Sequence, residues 1–109
     1  MKIKAYETSG GKYLIIEYIE QLPDQEKIAA YEIISEIESD GVVALKALNT
    51  RQLRGKLWEI KFSNNRIMYV VYDKDLIYFL HACQKQKGKA EKHDLELAIG
   101  RAKKYGLNI

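Results

Sequence analysis

The stretch Leu57-Trp58-Glu59-Ile60-Lys61-Phe62-Ser63-Asn64-Asn65-Arg66-Ile67-Met68-Tyr69-Val70-Val71-Tyr72 decides the fold. Here Trp58, Ile60 and Phe62 alternate with Leu57, Glu59 and Lys61. A period of two marks a β-strand, because successive side chains point to opposite faces. Ser63-Asn64-Asn65 is a turn, and a second run over 66–72 follows it. Asp73-Lys74-Asp75 turns the chain again into Leu76 to Cys83. The pattern predicts a three-stranded antiparallel meander.

Upstream of it, the apolar period is helical. Leu14, Ile15, Tyr18, Ile19 and Leu22 recur at i, i+3/i+4 spacing, which predicts an amphipathic helix over 13–22, ended by Pro23. A second helix is predicted over 25–39, with Asp24 as its cap, Ile28, Tyr31, Ile34 and Ile37 as its apolar stripe, and Ser39-Asp40-Gly41 as its stop. Two helices joined this closely favour an antiparallel hairpin. Residues 2–6 alternate as a short first strand before the Ser9-Gly10-Gly11 turn, and the segment up to Arg54-Gly55 reads as a linking stretch. Downstream, Leu95, Ala98, Ile99 and Ala102 share one face of a helix over 91–105, with Gly106 placed to end it. The expected order is β-α-α-β-β-β-α in a single domain over 1–109, an α+β fold with a small antiparallel-rich sheet.

The chain has 109 residues, 47% of them apolar and 30% charged, which is globular composition with room for one core. A cofactor domain beside a large active-site domain does not fit. The single cysteine, Cys83, excludes an internal disulfide and a CxxC zinc pair, and suits a reducing cytoplasm. No apolar run is long enough to span a membrane, and Met1 to Tyr6 has no apolar core of a secretory signal.

The net charge of +3 conceals an asymmetry. Residues 1–45 carry four bases and nine acids, a net of −5, whereas residues 46–109 carry fourteen bases and six acids, a net of +8. No linker separates the halves, so one domain is expected to have an acidic and a basic side, the latter facing an anionic partner such as nucleic acid. The bases fall in two clusters. Lys46, Arg51, Arg54, Lys56, Lys61 and Arg66 lie in the linking stretch and first hairpin; Lys85, Lys87, Lys89 and Lys92 follow the last strand. The hairpin brings Lys61 beside Arg66, and the meander brings the exit at Gln84–Lys85 to the same end. A basic concave surface rimmed by Tyr and Trp, Tyr69 among them, is therefore expected to hold a single-stranded backbone.

His81 reads either as a half-buried histidine bonded to backbone or as a proton carrier facing the groove. His93 sits in a charged run and reads as solvated. No His/Cys/Asp/Glu spacing matches a metal site, Ser9-Gly10-Gly11-Lys12 is too short for a phosphate loop, and no nucleophilic triad is visible. No cofactor is implied. Cys83 reads as an apolar strand residue, and Trp58 as core.

Taken together, Leu57-Trp58-Glu59-Ile60-Lys61-Phe62, Asn65-Arg66-Ile67-Met68-Tyr69 and Ile77-Tyr78-Phe79-Leu80-His81-Ala82 resemble the RelE/ParE toxin superfamily, and more narrowly its phage-derived, HigB-like branch. The opening Gly11 … Glu17-Tyr18-Ile19 … Leu22-Pro23 and the closing Glu96 … Ala98 … Arg101-Ala102 are similar too. The resemblance implies a sheet with two helices on one face and a basic groove on the other. It also implies an mRNA endonuclease acting on the translating ribosome, and a helix-turn-helix antitoxin as partner. Its site residues carry over to Arg66, Lys61, His81, Lys85 and Lys89. RNA contacts are then expected from Arg51, Arg54, Lys56, Lys87, Lys92 and Tyr69, and a proton donor from His81, Tyr69 or Tyr72. Lys85-Gln86-Lys87 and Lys89-Ala90-Glu91 depart from the branch's Lys-Lys-Thr and Lys-Thr-Pro. The alternatives on the same fold are a gyrase-poisoning toxin of the ParE type and a non-catalytic phage or plasmid regulator.

Overall fold

The computed structural model describes all residues, 1–109. The order is β1 (Lys2–Ala5), α1 (Leu14–Glu20), α2 (Asp24–Asp40), α3 (Val42–Ala47), β2 (Thr50–Arg54), β3 (Leu57–Phe62), β4 (Asn65–Asp73), β5 (Leu76–Gln84) and α4 (Lys89–Lys104). The five strands form one sheet in the order β1-β5-β4-β3-β2, antiparallel except where β1 runs parallel to β5. No helix is long and apolar enough to cross a membrane.

The meander forms where the period-two pattern places it. Ser63 and Asn64 close the β3–β4 hairpin, with Ser63 at φ 51° supplying the left-handed step that a two-residue loop needs. Two elements stand in what reads from sequence as a linking stretch. The short α3 follows α2 directly, the break falling at Gly41 with φ 62°. The fifth strand, β2, pairs with β3 through the register Thr50↔Ile60, Arg51↔Glu59 and Gln52↔Trp58. Its exposed residues hide the alternation, which a bulge between Gln52 and Arg54 breaks as well.

Each face of the sheet has its own core. On one, Ile15 and Ile19 of α1 and Ala30, Ile33 and Ile37 of α2 pack on Ile60, Phe62, Ile67, Tyr69, Ile77 and Phe79. On the other, Ala98 and Ala102 of α4 cover Leu57, Met68, Val70 and Leu80. Each fully buried aliphatic side chain stabilises the fold by about 1.5–3 kcal/mol. The buried stripe of α2 is rotated from the predicted one: Ile37 is fully buried, Ile34 lies at the margin, and Ile28 and Tyr31 are exposed. Apolar residues lie on both sides of that helix, so spacing alone does not choose between the stripes. Asp24 is the first helical residue and makes no cap; Pro23 holds the N-cap position. Gly106 at φ 69° ends α4 through a Schellman turn, its N–H bonded to the Lys103 carbonyl and that of Leu107 to the Ala102 carbonyl.

Because α4 covers much of the second face, the expected open groove shrinks to a cleft at one corner. That corner lies where the β3–β4 hairpin, the end of β5 and the start of α4 meet.

Candidate functional site

The cleft encloses about 210 Å³. Strand alternation builds its floor. Lys61 stands opposite Arg66 across the hairpin, and Glu59 opposite Met68, so Glu59, Lys61, Arg66 and Met68 share the α4 face. Cys83 stands opposite Arg66 on β5 and extends that row. Beyond it, Lys85 is anchored by its backbone N–H to the Asn64 carbonyl at 2.8 Å, tying the strand exit to the hairpin turn. Lys85, Gln86 and Lys87 make one wall, Glu91 and Asp94 of α4 another, and Arg51 of β2 a third.

Five lining cations, Arg51, Lys61, Arg66, Lys85 and Lys87, face three carboxylates, Glu59, Glu91 and Asp94. Glu59 is central, with its side chain only 3% exposed. Arg51 Nε lies 2.9 Å and Arg66 Nε 3.7 Å from its Oε2. Neither contact has hydrogen-bonding geometry, so the carboxylate is charge-paired while Oε2 accepts no hydrogen bond. A buried acceptor left open is costly, and a donor brought by a ligand would relieve it. Arg51 also reaches Glu91 Oε1 at 3.4 Å and so bridges β2 to α4 across the cleft. Arg66 is steadied by a 2.8 Å bond from its Nη1 to the Asn65 carbonyl. Asn65 is itself buried, accepting from Tyr18 and donating to Glu26 of α2.

Behind the Asp94 wall lies a second polar network. Met68 faces His81, yet Tyr69 faces Phe79, a one-residue slip that leaves Leu80 without a partner. The slip turns His81 toward α4, where Nε2 meets Asp94 Oδ1 at 2.8 Å and Nδ1 meets Arg101 Nη1 at 3.0 Å. Arg101 Nη1 also donates to the Leu80 carbonyl at 3.0 Å. A guanidinium only donates, so Nδ1 accepts, and the proton of the neutral ring sits on Nε2, donated to Asp94. Burial, more than the opposing pull of Asp94, pushes the His81 pKa below its ordinary value.

His81, Cys83 and Asp94 bring their ligand-type atoms within 4.8 Å of one another, a cluster invisible in the linear spacing. Its surroundings do not suit a metal. A metal on Nε2 needs Nδ1–H facing an acceptor, and Arg101 occupies that position as a donor. Burial and the Asp94 carboxylate push the Cys83 thiol up to about 12, so it stays protonated, as an apolar strand residue and not a nucleophile.

Of the residues singled out in the sequence, the fold thus gathers Arg51, Lys61, Arg66, Lys85 and Lys87. His81 stands behind the wall. Lys89 and Lys92 are exposed in the first turn of α4, with Lys92 4.0 Å from Glu96, and neither lines the cleft. Arg54 and Lys56 lie at the β2–β3 turn, and Lys56 lines a groove on the other face of the sheet. Tyr69 and Trp58 belong to that other face by alternation, so no aromatic side chain rims the cleft. Tyr72 packs edge-on with Tyr78, away from the cleft. Sequence reasoning missed Glu59, Glu91 and Asp94. Glu59 alone had a signal, being in phase with Lys61.

The basic cleft with its carboxylate floor is built on a RelE-like α+β fold. The model of the Gp49-like phage-derived proteins (DUF891) matches residues 17–103, and the chain belongs to that family, which is related to RelE-type toxins. No curated protein matches the chain.

Proposed function

We propose that the chain is the toxin of a toxin–antitoxin pair, in the HigB-like branch of the RelE relatives, and that its cleft cuts single-stranded mRNA on the translating ribosome. The observation that carries this reading is Glu59 Oε2, a buried acceptor without a hydrogen bond at the floor of a cationic cleft. A ribose 2′-hydroxyl brings the donor this oxygen lacks, and the adjoining phosphate brings the anion that the cations match.

In the reaction, Glu59 takes the 2′-hydroxyl proton as the 2′-oxygen attacks its own phosphorus. The bond from phosphorus to the 5′-oxygen breaks, leaving a 2′,3′-cyclic phosphate. Arg66 holds the phosphate and, with Lys61, balances the charge that builds on its oxygens. The Lys85 ammonium gives a proton to the departing 5′-oxygen. Arg51 leaves its bridge to Glu59 and Glu91 for the phosphate as RNA enters. His81 acts through Asp94, as a positioning residue. The protein partner is the antitoxin, of helix-turn-helix type.

The test is inducible expression of wild type, Glu59→Gln and Arg66→Ala, read by growth and by mapping of mRNA ends. Wild type is expected to arrest growth and leave 2′,3′-cyclic ends, and both variants to be near harmless. Equal behaviour of wild type and Arg66→Ala sinks the reading; a DNA-damage response without mRNA cleavage replaces it with gyrase poisoning.

A further inference from the structure

On the helical face of the sheet, opposite the cleft, lies a groove of about 620 Å³. The helices that cover this face do not reach its β2–β4 corner. Val42 and Leu45 of α3 form one wall, and Trp58, Tyr69 and Val71 form the floor. Trp58 is 36% exposed although its face is otherwise core. Val43, next to the groove wall, is 70% exposed. The only charged groups on the lining are Lys46 and Lys56, one at the α3 side and one at the β2–β3 turn. Along the groove runs β2, the sheet's edge strand, paired only with β3.

We infer that this groove seats a segment of the partner protein in which apolar side chains are flanked by acidic ones. Trp58 and Val42, 36% and 39% exposed, present apolar surface that gains by losing water, and the buried Leu45 and Tyr69 back it from beneath. The charge argues for the sign of the partner. Two lysines with no carboxylate among the lining residues attract an acidic segment and repel a basic one. The free backbone edge of β2 offers hydrogen bonds to any part of the segment that runs extended. The occupant is the antitoxin that a toxin-like family implies, and in that respect the inference rests on the reading above. It adds that the partner docks on the face opposite the RNA cleft, so binding there leaves Arg66 and Lys85 uncovered.

The experiment uses the full chain and, as probe, the purified product of the reading frame adjacent to its gene, with affinity measured by calorimetry. The double variant Lys46→Glu/Lys56→Glu and the single variant Val43→Asp alter exposed positions, and circular dichroism checks that both stay folded. Each is expected to weaken binding at least ~tenfold, while Arg66→Ala changes it less than about twofold. A groove-variant affinity within twofold of wild type overturns the inference. Loss of binding with Arg66→Ala overturns it too, placing the partner in the cleft. A groove variant that changes only the oligomeric state of the chain alone shows a second copy as occupant and also overturns it. If partner affinity falls as expected while mRNA ends show no cleavage, the docking surface stands and the endonuclease reading falls. If cleavage is found and the groove variants still bind normally, the reverse holds.

Discussion

Arg101 donates to His81 Nδ1 across 3.0 Å, and that single contact fixes which ring nitrogen carries the proton. A protonated ring would point a second N–H at a guanidinium and add charge beside it. The folded-state pKa of His81 therefore lies below the 6.5 of the free side chain, with burial as the first cause. The sign follows from proton uptake. As pH falls through 6.5, the unfolded chain binds the proton first, so folding weakens between that point and the lower folded pKa. Stability from this residue is complete above pH 6.5. Urea unfolding of wild type between pH 5 and 7.5 is expected to show this slope, and His81→Gln to lose that part of it. An identical slope in the variant contradicts the assignment.

Gly55 is placed by a different constraint. It sits at φ 55°, and a Cβ there would come 2.8 Å from the backbone carbon of Ile109. Gly55→Ala therefore meets two costs, the left-handed backbone at about 1–2 kcal/mol and a clash with Ile109. Chemical denaturation is expected to show a loss of about 2 kcal/mol or more. Repeating the substitution in a chain that ends at Asn108 removes the clash, and about half the loss should return. No rescue would place the whole effect in the backbone.

Ile77 tests the core on the helical face of the sheet. It is fully buried on β5 within the larger core cluster, alongside Phe79. Ile77→Ala deletes side-chain volume where the two helices and the sheet meet, and should cost about 2–5 kcal/mol in a urea titration. A loss under about 1 kcal/mol would mean that the helices collapse onto the sheet more freely than their packing implies.

How far the sequence reveals this molecule depends on the range of the signal. The β3–β4 hairpin is legible because Trp58, Ile60 and Phe62 keep strict alternation, and the same alternation puts Lys61 beside Arg66. β2 is not, because Arg51, Gln52 and Arg54 face solvent and a bulge breaks the period. Tyr69 reads as an RNA contact by residue type, yet alternation relative to Arg66 sends it to the opposite face; Trp58, read as core, shares that face but stays 36% exposed. The His81–Asp94–Arg101 network depends on where α4 docks and on the slip at Leu80, and neither has a local signature. Glu59 was legible in phase but not in role. Its meaning comes from Arg51, which reaches it only once β2 is paired.

The cleft also sets a salt dependence. Arg51 already pairs with Glu59 and Glu91, so its gain on binding a phosphate is partly offset by the contacts it gives up. Lys61, Arg66, Lys85 and Lys87 remain as the cations free to displace counterions, although Arg66 stands 3.7 Å from Glu59. For a single strand, each neutralised phosphate adds about −0.7 to the slope of log K against log salt, so about four contacts give a slope near −3. Binding of a non-cleavable 2′-deoxy-substituted oligonucleotide, followed by fluorescence anisotropy across a salt series, measures it. Lys87→Ala should make the slope shallower by about 0.7 and weaken all sequences alike. Glu91→Gln should act in the opposite sense. It removes one carboxylate from the cleft and releases Arg51 on the α4 side while Arg51 stays 2.9 Å from Glu59, so affinity should rise and the slope steepen by less than one full contact. If Glu91→Gln leaves both slope and affinity unchanged, Arg51 does not exchange its carboxylates for phosphate, and its place in the proposed reaction is withdrawn.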